Sequence, residues 1–174
     1  MTDTRGNGSG TLGEGQGGGQ GGGQAPGMAI NIQYVKDLSF EVPGAPDIYM
    51  QIRQPPQVQV NLDVNARRLS ADNAYEVVLS IRAEAKAEEK TAFIVELDYA
   101  AVFTLTAIPA DMLEPVLLVE APRLIFPFAR AIISDVTRES GFPAVLLQPI
   151  DFLALWQTRR AQAAAAPPPP AANA

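Results

Sequence analysis

PQVQVNLDVNARRLSADNAYEVVLSIRAEAKAEEKTAFIVELDYAAVFTL, residues 56 to 105, is a run of alternating apolar and polar side chains broken twice by turn-forming residues. In its first part Val58, Val60, Leu62 and Val64 alternate with Gln57, Gln59, Asn61 and Asp63. A strand points successive side chains to opposite faces, so this spacing predicts a half-buried strand. Tyr75, Val77, Leu79, Ile81 and Ala83 repeat the pattern. Phe93, Val95, Leu97, Tyr99, Ala101 and Phe103 continue it against Ile94, Glu96, Asp98 and Thr104. SADNA (70–74) and AEEK (87–90) supply the turns. Three long strands with short connections predict an antiparallel meander.

Upstream, NIQYVKDLSFEV (31–42) reads as a fourth strand, with Ile32, Tyr34, Leu38 and Phe40 on one face, interrupted by Lys36. Gln33, Asp37, Ser39 and Glu41 form the other face. Pro43, Pro46, Pro55 and Pro56 follow, which suits a loop crossing the sheet better than a tight hairpin. From Asp111 onward the apolar period changes to that of a helix. DMLEPVLLVEAP (111–122) predicts a short, proline-interrupted helical stretch. LIFPFARAIISDVTRES (124–140) predicts a longer helix, with Leu124, Phe128, Ala131, Ile132 and Val136 on its apolar face and Pro127 near its first turn. Gly141 and Pro143 supply its stop, and Asp151 can cap a last helix that carries Phe152, Leu155 and Trp156. Strands followed by helices predict an α+β domain: a four-stranded antiparallel sheet with two main helices on one face.

The chain has 174 residues, but 12 of its 14 glycines lie before position 28, and alanine and proline dominate from Ala161. Neither end can bury enough apolar surface to offset chain entropy. The expected organisation is therefore a disordered Gly/Gln-rich arm (1–27), one domain (28–160) and a disordered Ala/Pro-rich tail (161–174). A net charge of −6 disfavours a nucleic-acid partner, which needs clustered cations. No apolar run approaches the roughly 18 residues of a spanning helix, so the chain is expected to be cytoplasmic, without membrane insertion.

With no histidine and no cysteine, Ser-His pairs, thiolate nucleophiles and ordinary zinc sites are excluded. GNGSGTLGEG (6–15) has glycines but neither the strand before it nor the Lys-Ser/Thr pair of a phosphate loop. Glu84, Glu88 and Glu89 offer oxygen ligands, yet their position at a hairpin end reads as a solvated turn. No catalytic, cofactor-binding or metal site is expected. A domain so apolar, with so few helices over its sheet, is expected to bury area between copies of itself.

YVKDLSFEVPGAP (34–46), AYEVVLSI (74–81), TAFIVEL (91–97) and LIFPFARAIISDVTRESGFPAVLLQPIDFLALW (124–156) resemble, in order and spacing, the SecB protein-export chaperone family. The resemblance covers nearly all of residues 32 to 156 and implies a homotetramer, a dimer of dimers, that needs no nucleotide. It also implies a cytoplasmic holdase that keeps precursor proteins unfolded and passes them to the SecA motor. Family positions for SecA contact fall on Asp37, Glu41, Ile94 and Glu96. Those for the client groove fall on Ile48, Tyr49, Ile52, Val58, Val60, Leu153 and Trp156. The family's long helix implies an interface between copies, assigned to Phe126, Phe128 and Ile132 together with the strand residues Phe93, Val95 and Leu97. A SecB-like holdase serving a toxin-antitoxin system is the alternative. A small-molecule module lacks any convergent polar site in this sequence.

Overall fold

The structure, a computed structural model, describes residues 25–165. Four strands, β1 (Gly27–Glu41), β2 (Gln57–Arg68), β3 (Ala74–Ala87) and β4 (Lys90–Thr106), form one antiparallel sheet in the order β1-β4-β3-β2. The meander expected from residues 56–105 is present as β2-β3-β4. Glu88, at the tip of the second hairpin, takes the left-handed region at φ 55°. Because β1 and β2 occupy opposite edges, residues 42–56 must cross the sheet. The crossing includes a short helix, α1 (Asp47–Gln51), anchored by the buried side chain of Ile48.

The helices cover one face. Val77, Leu79 and Ile81 of β3 and Phe93, Val95, Leu97 and Phe103 of β4 are buried beneath them. Where the sequence suggests two separate helical pieces, the chain forms one continuous rod. It runs through α2 (Ala110–Pro115), a π-helical turn (Val116–Glu120) and α3 (Ala121–Glu139). The Ala121 N–H donates to the Val116 carbonyl five residues back. This wide turn directly precedes Pro122, which has no N–H to continue the ordinary ladder.

Pro127 lies inside α3, well beyond the first turn expected for it. The face that α3 turns to the sheet also differs from the expected one. Ile125, Phe126, Ala129, Ile133 and Thr137 are buried, whereas Leu124 and Phe128 are about half exposed. The helix thus carries two apolar stripes, and the periodicity pointed to the outward one. α3 ends as expected at Gly141, with φ 85°. The Gly141 N–H donates to Arg138 and the Phe142 N–H to Thr137, the paired bonds of a Schellman stop.

The last helix, α4 (Phe152–Ala165), is capped by Asp151, whose Oδ1 accepts from the Ala154 N–H at 3.0 Å. It runs five residues into the segment expected as tail, since alanine and glutamine favour helix and the first proline is Pro167. The rest of that tail and the arm up to residue 24 lie outside the described residues.

β1 departs from simple alternation. The register with β4 shifts between Ile30 and Ile32 and again between Val35 and Asp37. Leu38 and Phe40 pair with Leu97 and Val95 on the helix-covered side, but Ile32 and Tyr34 pair with Val102 and Ala100 on the opposite side. The expected single face of Ile32, Tyr34, Leu38 and Phe40 is therefore split. The bulge at Lys36 inserts one residue, and one residue exchanges the faces of all that follow.

Candidate functional site

An apolar groove of about 500 Å³ opens along β2. One wall is Val58, Val60 and Leu62, one end is Pro55 and Pro56, and the facing wall is the extended segment from Pro143 to Ile150. Phe93 lies at its base. In the facing wall Val145 and Leu147 turn inward and are buried, while Leu146 is 71% exposed. Prolines 143 and 149 bracket that segment and hold it extended. Gln148 is the one polar side chain in the lining, so the groove offers dispersion contact with almost no directional chemistry.

Of the positions implied for a client groove, Val58 and Val60 line it. Ile48 is instead a core plug. Tyr49 packs on Phe142 at 5.0 Å and donates its hydroxyl to the Ser140 carbonyl at 3.0 Å, which ties the crossing loop to the end of α3. Ile52 lines a separate, more polar cleft with Arg53, Lys86 and Lys90. Leu153 and Trp156 stay on α4, where the Trp156 N–H donates to Glu114 at 3.0 Å and Arg160 lies 4.9 Å over the ring. The 143–150 wall was not foreseen. Its signal is the alternation of Val145 and Leu147 with Leu146 and Gln148 between two prolines.

The other face of the sheet is uncovered by the described helices; Ile32, Val78, Ala100 and Val102 lie toward one end of it, and polar side chains dominate the other. Across it Asp37, Asp98, Ser80 and Asp63 form one row of register partners, and Ser39, Glu96, Arg82 and Asn61 form the next. Glu41, Ile94 and Glu84 continue in the third row. The structure thus brings Asp37, Glu41, Ile94 and Glu96 onto one face, adjacent to one another. Glu96 accepts from Arg82, which also reaches Glu84 at 3.5 Å. Asp63 accepts from Arg159 of α4, which also donates to the Leu62 carbonyl at 2.8 Å and so covers part of the β2 edge. Among the described residues Asp37, Glu41 and Asp98 take part in no ion pair, and no group of three ligating side chains is placed to hold a metal ion.

At the far end of the same face lies a cluster that alternation alone did not show. Glu76 is only 2% exposed, and its carboxylate accepts from the Tyr34 hydroxyl, the Arg67 guanidinium and Lys36, the last at 3.1 and 3.2 Å. The Tyr34 hydrogen bond, aided by those to Arg67 and Lys36, outweighs burial and holds the carboxyl at about 2 rather than 4.5. The same bond raises the Tyr34 hydroxyl.

Because the folded value is depressed, this contribution is complete above pH 4.5 and is lost as pH falls toward 2. It amounts to about 3 kcal/mol at neutral pH. Denaturant titrations of the wild type and Glu76→Gln are therefore expected to differ most at pH 6, with the gap shrinking by about that amount by pH 2. A gap independent of pH would refute the assignment.

The six positions assigned to an interface between copies divide sharply. Phe93, Val95, Leu97 and Phe126 are packed inside this chain's own core, because odd-numbered residues of β4 face its helices. Phe128 is half exposed on α3 and stacks on Tyr99 at 6.4 Å, whereas Ile132 is partly buried and packs against the core.

Comparison with known proteins places these features in a family. Residues 22–163 match the family model described as preprotein translocase subunit SecB. The chain is 63% identical over 142 residues to protein-export protein SecB of Granulibacter bethesdensis, covering 78% of this chain and 83% of that protein. It is 56% identical over 149 residues to the protein of the same name from Acidiphilium cryptum, covering 78% and 90%. Among solved structures it is similar in fold to a SecB-like chaperone of Mycobacterium tuberculosis in complex with an antitoxin peptide. That likeness has a TM-score of 0.59 at 15% identity, over 71% of this chain and 90% of the other.

Proposed function

The chain belongs to the SecB family, and from that premise we propose that it works as a cytoplasmic, ATP-independent holdase that keeps precursor proteins unfolded and delivers them to SecA. The observation that carries this reading is the open apolar groove between β2 and residues 143–150, with its single polar lining residue. An unfolded chain is recognised by the apolar stretches it exposes, and a wall without directional groups accepts many of them. SecB is a family of chaperones rather than enzymes, and the reading assigns no catalytic role. The names of the relatives at 63% and 56% identity favour export over an antitoxin role. No helix among the described residues is long and apolar enough to cross a membrane.

Two further parts belong to the proposal. SecA docks on the face that bears Asp37, Glu41, Ile94 and Glu96, through a basic surface of its own. Four copies assemble as a dimer of dimers. The half-exposed Leu124 and Phe128 on α3 support the assembly, as does the outer edge of β1, unpaired among the described residues, where Ile32 and Val35 are exposed.

The test is dilution of a chemically unfolded precursor into the protein without nucleotide, alongside a light-scattering mass. Stoichiometric suppression of aggregation by a tetramer is the expected result. Unchanged aggregation would refute the holdase reading, and a monomer would refute the assembly. Val60→Asp places a charge in the groove at a residue already 41% exposed, so folding should change little. Burying that charge against an apolar client is unfavourable, and about ten-fold more of the variant should be needed for the same suppression. Equal potency of variant and wild type would remove the groove from client binding.

A further inference from the structure

We propose that Lys36, through its ion pair with the buried Glu76, is a positioning residue that sets the face on which the acidic strip Asp37–Glu41 stands. The proposal rests on the reading that this strip docks SecA. Lys36 and Asp37 are consecutive, yet both serve the open face. Lys36 grips Glu76 on that side, and Asp37 is the register partner of Asp98 there. Two successive residues on one face are possible only because the register shifts between Val35 and Asp37. Without that bulge, alternation from Tyr34 would place Lys36, Leu38 and Phe40 on the open face and bury Asp37, Ser39 and Glu41.

Within one protomer β1 pairs with β4 alone among the described residues, so inside the protomer its register is held from one side. On the helix-covered side Phe40 contributes a stacking contact with Phe93 at 5.4 Å, but Leu38 is still 39% exposed and contributes less. Near the bulge the fixed point is on the open face. Glu76 is on β3, which lies beyond β4 from β1, and it binds both Tyr34 before the bulge and Lys36 within it. Arg67 of β2 holds the carboxylate from the other side. A nearly fully buried carboxylate with three donors is a rigid anchor, and Lys36 ties the bulge to it. Releasing Lys36 frees residues 36–39 while Phe40 stays seated, so the strip loses its fixed orientation without the domain losing its core.

Charge alone and positioning predict opposite signs for the same substitution. Lys36 is a cation beside an acidic surface that meets a basic partner. On charge alone, Lys36→Met should strengthen SecA binding. As a positioning residue, its loss should weaken binding by about ten-fold, because the strip must be ordered on docking. Lys36→Arg keeps a cation for Glu76 and should restore most of the affinity.

The experiment is calorimetric titration of SecA with the full-length wild type, Lys36→Met, Lys36→Gln, Lys36→Arg and, as a control, Asp37→Lys. Amide hydrogen exchange over residues 36–41 and aggregation suppression are measured in parallel. The expected result is weaker SecA binding and faster exchange for Met and Gln, recovery with Arg, and unchanged aggregation suppression. If Met and Gln bind SecA as well as or better than wild type while Asp37→Lys does not bind, positioning is refuted and the docking reading stands. If Asp37→Lys binds normally, the docking reading is wrong and the proposal falls with it.

Discussion

Replacing Asp37 and Glu96 together by lysine is expected to weaken SecA binding by about a hundred-fold or more, since like charges meeting across an interface cost several kcal/mol. Asp37 faces Asp98 across β1 and β4 and is in no ion pair among the described residues, so its charge is available to a partner. Glu96 is already engaged by Arg82. Lysine at 96 would abolish that pair and leave Arg82 with Glu84 alone, which makes the centre of the face cationic. The fold should tolerate the change, because Glu96 is about half exposed and an exposed pair contributes only about 0–1 kcal/mol. Wild-type affinity should fall as salt is raised, and the salt dependence should flatten in the variant. Titration of SecA with each protein, beside its aggregation suppression, decides the matter. Normal SecA binding by the variant would make this face merely solvated.

Much of the scaffold was readable because it rests on repetition. Alternation is strict from Gln57 to Val64 in β2. In β3 and β4 every second residue from Val77 to Ala85 and from Phe93 to Phe103 is apolar even though Val78, Ile94, Ala100 and Val102 interrupt the polar set, so one face must be buried. The resemblance alone joined Asp37 and Glu41 to Ile94 and Glu96, and the register puts the four on one face, whereas the faces expected for Gln33 and Tyr34 are reversed. That error has a local cause. A bulge is one inserted residue, and the partner of the inserted Lys36 is Glu76, forty residues away in sequence, which local alternation does not show.

The groove was only half legible for a related reason. Val58 and Val60 announce themselves by alternation, but their facing wall has no regular hydrogen-bond pattern and contains just two inward residues, Val145 and Leu147. Helical periodicity in α3 identified an apolar stripe but could not say which of two it was. Leu124, Phe128 and Ile132 recur at the same spacing as Ile125, Ala129 and Ile133, and only the sheet chooses between them.

Phe93→Ala is expected to be the most destabilising single substitution considered, at about 3–5 kcal/mol for removing a fully buried ring. Phe93 is 1% exposed and touches three parts of the chain. Its ring stacks on Phe40 of β1 at 5.4 Å and packs on Phe142, just beyond α3, at 4.8 Å, while its own strand carries Ile94 onto the acidic face. Truncation would therefore loosen the edge strand, the groove base and the stop of α3 together, and no single neighbour can collapse into the space. The melting temperature should fall by about 10–20 °C for a domain of this size. The assignment of Phe93 to an interface between copies predicts something different. In that case the variant would dissociate, and its loss of stability would depend strongly on protein concentration, since assembly enters stability by mass action. Melting curves over a hundred-fold range of concentration, with the mass of each sample measured by light scattering, separate the two. A drop that is the same at every concentration, in a protein that keeps its mass, places Phe93 in the core of the protomer. A drop that vanishes at high concentration would return it to the interface.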